Sequence, residues 1–296
     1  MKNNITVYIV LTSLVGLLWE VGGPGRADMV GATGLDLPRP GGSGPGSSRA
    51  VANTKAVPIE TAVSRIPASF RGRIIRRRLV RLPEKIIALT FDDGPDPYIT
   101  PQILRILARY KARATFFVMG QWAQEWPDLV RQEAEQGHAV GSHSYSHPEE
   151  VNEAHSALEL QKTARIIEQA TGLKPVLFRP PYGHTYSTMS RVAIKEGYVV
   201  VRWTIGAADS VDLQPADIVA RVTRTPVAGD IVLLHDGRDR DNTMKALPEI
   251  LRRLQAAGFK FVTVPQLLWE WERYGKAKMR PAGQIRQTGR SRRGSA

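Results

Sequence analysis

From Lys85 onward, short apolar runs alternate with amphipathic helical segments, and this alternation limits the possible folds more than any other feature of the chain. The runs are rich in Ile, Val, Leu and Phe and lack strict polar–apolar alternation, which is typical of strands covered on both faces. Seven such runs are present, at 86–91, 115–119, 138–143, 176–179, 198–205, 230–235 and 260–264. Strands that alternate with helices predict an α/β fold with a parallel sheet.

The number of runs indicates how that sheet closes. A standard (β/α) barrel has eight strands, so seven strands predict an incomplete or distorted barrel. One more strand beside it could lie in residues 73–82. The chain has 296 residues and no cysteine. This length suits one domain with extra segments, and the lack of cysteine excludes a disulfide framework, a cysteine nucleophile and a thiolate metal site.

Polar side chains of reactive types fall at the carboxyl ends of the predicted strands. In a parallel α/β barrel these ends share one face, where active sites are built. The sequence therefore predicts one site that is formed by residues distant in the chain: Asp92, Asp93, His143, His147, Arg179, Asp209 and His235.

Two of these groups indicate a bound cation. Adjacent carboxylates, as at Asp92 and Asp93, are unfavourable unless a positive charge lies near them. Asp93 also begins an Asp-Gly-Pro sequence, however, which is typical of a turn. His143 and His147 are four residues apart and could point to one place. With a carboxylate they would form a His₂Asp site, a catalytic ligand set for zinc and similar metals. A histidine pair alone is often only a surface feature.

Two further motifs carry groups suited to catalysis. The run from Arg179 to Gly183 is a turn stiffened by two prolines. Its arginine could hold a carboxylate, and its backbone N–H groups could form an oxyanion hole, but simple loop structure explains it equally well. His235 ends a strand just before a turn. We therefore expect its imidazole to be reachable from solvent, whereas a histidine in a strand is more often buried in the core. We interpret His138 and His155 as structural.

Five motifs together resemble those of the polysaccharide deacetylases, carbohydrate esterase family four, also called the NodB-homology domain. They occur in the family's order, and the resemblance extends from about residue 86 to 268: 90–95, 143–147, 179–183, 203–209 and 233–237. The resemblance implies an α/β fold in the form of a distorted seven-stranded (β/α) barrel. It also implies an enzyme that hydrolyses N-acetyl groups of an amino-sugar polysaccharide.

The resemblance further implies a role for each site residue. A divalent metal, most often Zn with Co or Ni in some relatives, would be held by Asp93, His143 and His147. Asp92 would be the general base and His235 the general acid. Arg179 would orient Asp92, and Leu233 would line the acetyl methyl pocket. The substrate would be contacted by Pro181, Tyr182 and Leu233, with the Tyr182 backbone N–H holding the oxyanion.

The fourth motif departs from the family's usual Asp-x-x-Asp-Trp pattern. Leu213 stands where the tryptophan is expected, and residues 206–208 look like extra spacing. Asp209 is the expected partner that tunes His235. The sequence does not determine the wall of the substrate groove near this motif. It therefore does not determine which polymer is the substrate.

The ends of the chain have a different composition. Residues 1–27 carry Lys2 and an apolar run from Ile5 to Trp19, which predicts a signal peptide or a membrane anchor. A Gly/Pro/Ser-rich linker and an unassigned segment are expected over 28–70, the deacetylase domain over 71–275 and a basic tail over 276–296. The protein is thus expected to be exported, and to be extracellular, periplasmic or membrane-anchored at the cell surface.

The formal net charge is +13, and many of the basic residues cluster in 71–81 and in the tail. Such runs are often solvated tails, but they could also bind an anionic cell wall or membrane. We expect no nucleic-acid partner, because no recognised nucleic-acid-binding signature is present. Two other hypotheses remain: a non-catalytic glycan-binding protein of the same fold, and an O-acetyl esterase acting on xylan.

Overall fold

A parallel sheet lies at the centre of the fold. In the computed structural model of the protein, residues 65–211 and 213–279 are described, with side chains up to residue 275. Within these residues the strands are β1 (Ile74–Ile75), β2 (Ile86–Asp92), β3 (Ala114–Val118), β4 (Ala139–Ser142), β5 (Leu177–Phe178), β6 (Val199–Val201), β7 (Ile205–Gly206), β8 (Asp230–His235) and β9 (Lys260–Phe261).

Helices follow most of the strands, as the alternating pattern predicts. They are α1 (Ile99–Arg109), α2 (Gly120–Glu125), α3 (Pro127–Glu135), α4 (Glu153–Thr171), α5 (Thr188–Lys195), α6 (Pro215–Thr223), α7 (Asp241–Ala256) and α8 (Val264–Met279). Short 3₁₀ turns lie at Ala68–Phe70 and Pro181–Gly183. No helix in the described ranges is both long and apolar enough to cross a membrane.

The strand order is β1-β6-β5-β4-β3-β2-β8-β7, with β9 paired to β2, and all pairs are parallel. Within the described residues the two edge strands, β1 and β7, do not pair, and the sheet is a curled half-barrel. The predicted fold class, a distorted (β/α) barrel, is therefore confirmed.

The strand count differs from the seven that the apolar runs predict. The run 198–205 divides into β6 and β7, because the chain changes its hydrogen-bonding partners within three residues. The Arg202 N–H donates to the carbonyl of Ile75 in β1, whereas the Thr204 N–H donates to the carbonyl of Ile231 in β8. The chain thus crosses from one end of the half-barrel to the other, and β1 supplies the further strand expected in 73–82.

Both faces of the sheet are buried in apolar cores. Every residue of β2 is buried. Along this strand Ile87, Leu89 and Phe91 pack into one core cluster, while Ile86 and Ala88 pack into another. The second cluster includes the buried face of α8 with Val264, Leu267, Leu268 and Trp271. Because side chains alternate between faces, a strand buried on both must be apolar at nearly every position.

Several sequence predictions fall outside the described residues. The signal peptide or anchor over 1–27, most of the linker and unassigned segment over 28–70, and nearly all of the basic tail over 276–296 lie there. Asp212, which directly precedes Leu213, lies there as well. The boundaries of the predicted domain, 71–275, stay a prediction.

His138 is structural, and it should make stability depend on pH. It is 2% exposed, and its Nδ1 accepts a hydrogen bond of 3.1 Å from the Ala114 N–H. Burial, with a smaller effect of Arg113, lowers the pKa of His138 from 6.5 to about 4. Between these values the unfolded chain binds more protons, so this residue makes the free energy of unfolding fall as pH is lowered, by up to about 3 kcal/mol.

The substitution His138→Asn should reduce this pH dependence, because an amide oxygen can still accept from the Ala114 N–H but does not titrate. Urea unfolding at pH 7, 5 and 4 measures the effect. The variant is expected to lose less stability than the wild type between pH 6.5 and 4. Equal losses in the two proteins would contradict this account.

Candidate active site

The carboxyl ends of the parallel strands bring the predicted reactive residues to one edge of the sheet. Asp92 ends β2 and His235 ends the neighbouring β8, and the two residues are register partners. His143 follows β4 and Arg179 follows β5. The convergence expected from the strand order is therefore present in the structure.

Asp93, His143 and His147 form a compact group. His143 Nε2 lies 3.4 Å and His147 Nε2 lies 3.8 Å from Asp93 Oδ1. One ligand atom from each of the three residues lies within 4.8 Å of the others. Asp93 Oδ1 is buried and has no hydrogen-bond partner among the described residues. A buried carboxylate oxygen without a partner is unfavourable, so this atom is suited to a cation.

The surroundings of this group favour the chemical forms that bind metals. His143 Nδ1 lies 2.7 Å from the Arg179 carbonyl oxygen, and because a carbonyl only accepts, Nδ1 donates and Nε2 is left for a metal. Burial raises the pKa of Asp93, but contact with His143 and the charges of nearby histidines outweigh it, and the pKa lies below its usual range. Burial and the neighbouring His143 lower the pKa of His147.

His143 itself behaves differently. Burial lowers the pKa of its imidazole, but the carboxylates of Asp92 and Asp93 outweigh burial and raise the pKa above 6.5. A metal binds only the neutral imidazole. At a pH where His143 is protonated, metal binding would therefore release its proton. The donor set of two imidazoles and one carboxylate fits zinc, and it also suits cobalt or nickel.

Asp92 is held in one orientation by a fully buried arginine. Arg179 Nη1 donates to Asp92 Oδ1 and to Thr90 Oγ1, both at 2.7 Å. Arg179 Nε donates to the Val201 carbonyl at 3.1 Å, and the guanidinium lies 4.2 Å from the centre of the Phe117 ring. These contacts leave Asp92 Oδ2 free to face the site, 3.8 Å from His143 Nε2.

His235 is held by Asp209. The distance between His235 Nδ1 and Asp209 Oδ1 is 2.9 Å, while Asp209 Oδ2 accepts from the His235 N–H at 2.8 Å and from Thr243 Oγ1 at 2.7 Å. Burial lowers the pKa of His235, but Asp209 outweighs it and raises that pKa above the ordinary value. Leu213, where the resemblance leads one to expect tryptophan, packs against the core cluster that contains Leu89 and Phe91.

The turn after β5 brings an aromatic side chain next to the group formed by Asp93, His143 and His147. Pro181 is buried, and Tyr182 is 58% exposed with its ring centre 4.6 Å from that of His147. A side chain on Gly183 would meet the Trp203 ring at 2.5 Å, which explains the glycine. Leu233 is 9% exposed on β8, opposite Thr90 of β2.

Three of the site residues have backbone conformations that are uncommon outside glycine. Asp93, His147 and Tyr182 have φ angles of 74°, 59° and 56°. Such conformations cost about 1 to 3 kcal/mol each and cluster at functional sites, where the surroundings enforce them. Their occurrence on three separate loops that meet at one place supports a functional site there.

Sequence reasoning missed the side chains that support these residues. Glu159 of α4 is 5% exposed, and its carboxylate accepts from the N–H groups of Tyr145 and Ser146 at 2.7 and 2.8 Å and from Ser146 Oγ at 2.8 Å. It thereby fixes the loop between His143 and His147. The only signal in the sequence was a glutamate on the apolar face of a predicted helix. That position does not show which groups the carboxylate contacts.

The substitution Glu159→Gln should weaken metal binding and lower kcat/KM by about tenfold, as removal of groups that orient metal ligands does. The amide keeps the shape of the side chain but cannot accept all three hydrogen bonds. Metal titration of the purified protein measures the effect, with the exposed Glu168→Gln on the same helix as control. Added metal should restore part of the activity. An unchanged metal affinity would contradict the positioning role.

Comparison with known proteins identifies the family. A model of the polysaccharide deacetylase family matches residues 80–201. A peptidoglycan-N-acetylglucosamine deacetylase of Bacillus cereus is 42% identical over 190 residues, which cover 62% of this chain and 89% of the relative. The chain belongs to the polysaccharide deacetylase family. The resemblance to this family and the predicted enzyme class, a hydrolase of amide bonds in polysaccharides, are therefore confirmed.

Other members of the deacetylase family are also similar to this chain. A chitooligosaccharide deacetylase of Bradyrhizobium is 34% identical over 198 residues, which cover 61% of this chain and 90% of the relative. The crystal structure of the Bc1960 peptidoglycan N-acetylglucosamine deacetylase superimposes with a TM-score of 0.63 at 30% identity, covering 67% of this chain and 94% of that one. The present chain is therefore similar to members of this family in both sequence and fold.

Proposed function

We propose that the protein is a metal-dependent hydrolase that removes N-acetyl groups from an amino-sugar polysaccharide, releasing acetate and leaving a free amine. The observation that carries the proposal is the pairing of Asp92 and His235 at the ends of neighbouring strands. Beside this pair, Asp93, His143 and His147 converge on one place. An acid, a base and a cation-binding group at one edge of the sheet are the parts that amide hydrolysis requires.

The proton transfers follow from the hydrogen bonds of the two catalytic residues. Asp92, held by Arg179, takes a proton from water as the water oxygen forms a bond to the amide carbon. His235 carries a proton on each ring nitrogen, with Nδ1 bonded to Asp209, and its Nε2 gives a proton to the nitrogen as the carbon–nitrogen bond breaks. The products are acetate and the amine. The Tyr182 backbone N–H is assigned to the negative charge that develops on the carbonyl oxygen.

We assign the metal to Asp93, His143 and His147. When bound, a divalent cation supplies positive charge that polarises the amide carbonyl and acidifies water. Zinc is the first candidate for two imidazoles and a carboxylate, with cobalt or nickel as alternatives. Pro181, Tyr182 and Leu233 are assigned to the substrate, and Leu233 to the acetyl methyl group.

The proposed substrate is an N-acetylated amino-sugar polymer: peptidoglycan, chitin oligomers or a related exopolysaccharide. The relatives are named for peptidoglycan and chitooligosaccharides. The experiment incubates the full chain, supplied with zinc, with peptidoglycan, N-acetylglucosamine oligomers and O-acetylated xylan. Acetate accompanied by an equal amount of new primary amine supports the proposal. Release from xylan alone would replace it with the esterase hypothesis, and no release from any substrate, with the glycans still bound, would replace it with a binding role.

We further propose that residues 71–275 form the catalytic domain and that residues 1–27 direct export or anchor the chain. The proposal rests on the apolar run and the composition of the sequence. It is consistent with a substrate in the cell wall. Fractionation of cells that express the full chain tests the location, and recovery of the protein in the cytoplasm would contradict it.

A further inference from the structure

A second group of charged residues lies at the same edge of the sheet, beyond the catalytic group. Arg76 directly follows β1 and Arg202 directly follows β6, and these neighbouring strands are paired at Ile75 and Val201. The two arginines are therefore brought side by side by the sheet itself. Arg179 follows β5, the next strand in the order, so this pair continues the row of strand ends that carries the catalytic residues.

Neither arginine is neutralised by a carboxylate within the described part of the chain. Instead, each guanidinium lies against an aromatic ring, Arg76 at 5.1 Å from the centre of Tyr186 and Arg202 at 5.1 Å from the centre of Trp203. Both side chains are exposed. The N–H donors of a guanidinium group lie in its own plane, so contact with a ring leaves them available for bidentate recognition of an anion.

The two arginines line a cavity of about 590 Å³ that lies beside the candidate active site, with Tyr182 between them. Its wall includes Tyr182, whose ring contacts His147, and the exposed Tyr186. Glu150 also lines the cavity, so the two guanidinium groups exceed the carboxylates by one. Exposed aromatic faces beside a catalytic group are typical of a ligand groove.

We propose that this cavity is a subsite for a carboxylate carried by a sugar of the polymer, next to the residue whose acetamido group is hydrolysed. The arginines accept the carboxylate, and the exposed faces of Tyr182 and Tyr186 accept the apolar faces of the sugar ring. The ligand class is an anionic amino-sugar glycan, such as one with alternating N-acetylglucosamine and N-acetylmuramic acid, rather than a neutral chitin oligomer. This inference rests on the proposed function.

The experiment compares two glycans of equal length. One is an N-acetylglucosamine tetramer, and the other is a tetrasaccharide of alternating N-acetylglucosamine and N-acetylmuramic acid with free carboxylates and no peptide. For each glycan, kcat/KM for acetate release and Kd by calorimetry are measured with the full chain. The wild type should favour the carboxylate-bearing glycan by about tenfold, the size expected from two exposed charge-assisted contacts. High salt should reduce this preference.

The double substitution Arg76→Ala with Arg202→Ala should remove the preference, and the matched Arg→Lys pair should keep part of it, because lysine retains the charge without the planar donors. Arg105→Ala, an exposed arginine on α1 with no partner among the described residues, is the control and should keep the full preference. Equal preference in the wild type and the double alanine variant, or a wild-type preference for the neutral glycan, would overturn the subsite.

The two measurements separate this inference from the proposed function. If neither glycan releases acetate, the proposed function fails, but the ratio of the two Kd values still tests the subsite. If acetate is released from both glycans with no arginine-dependent preference, the proposed function stands and the subsite is wrong.

Discussion

Replacement of Asp92 by Asn is expected to lower kcat by about 10³-fold, within the range that a positioned general base contributes. Asparagine has the same shape and can still accept the hydrogen bond from Arg179 Nη1 at its Oδ1, so the buried side chain should stay in place. It cannot take a proton from water. The loss should therefore appear in kcat with little change in KM. The measurement is steady-state acetate release from N-acetylglucosamine oligomers.

Two readouts separate a base from a metal ligand or a structural residue. The Asp92→Asn variant should bind one equivalent of zinc, because the assigned ligands are Asp93, His143 and His147, and its unfolding transition should remain cooperative. Asp128→Asn is the matched control, since that carboxylate is exposed on α3 and, among the described residues, pairs only with Arg131. An Asp92→Asn variant with at least a tenth of wild-type kcat would contradict the assignment of Asp92 as the base.

Removal of the metal is expected to abolish activity to a similar extent, by about 10³-fold or more, because a cation at a reacting carbonyl contributes several kcal/mol. The wild type is dialysed against a chelator, assayed, and then supplied with zinc, cobalt or nickel. At least one metal should restore acetate release. Full activity after chelation, with metal shown to be absent by elemental analysis, would contradict the metal assignment.

Metal binding also has a readout that does not depend on activity. A ligand that binds only the folded state stabilises it by about 2.7 kcal/mol when its concentration is one hundred times Kd. Zinc should therefore raise Tm of the metal-free protein. The same zinc addition should raise Tm of a His143→Ala variant much less, because the two remaining assigned ligands bind zinc more weakly than three. An equal rise in Tm for both proteins would place the metal elsewhere.

The sequence predicted the parallel sheet well, because strands buried on both faces must be apolar throughout. In β2, Ile87, Leu89 and Phe91 pack into one core and Ile86 and Ala88 into the other, and the sequence shows this as an unbroken apolar run. It could not predict the division of 198–205 into β6 and β7. That division depends on which distant strands accept the N–H groups of Arg202 and Thr204, and apolar content does not carry this information.

The sequence predicted those site residues that have a reactive side chain and directly follow an apolar run. Asp92, Asp93, His143 and His235 are reactive types that follow buried runs, and the shared edge of a parallel sheet brings them together. Glu159 and Thr243 were not predictable in the same way. They act through hydrogen bonds to a loop and to Asp209, and such contacts between distant elements leave no pattern in a single sequence.

Joint detection of acetate and free amine from N-acetylglucosamine oligomers, produced by the zinc-supplied full chain, tests the account most directly. We propose that Asp92 and His235 act on an amide beside the group formed by Asp93, His143 and His147. Acetate and amine are therefore expected in equal amounts, in a reaction that stops when zinc is chelated. Zinc bound at these three residues, with neither product formed from the oligomers or from peptidoglycan, would contradict it.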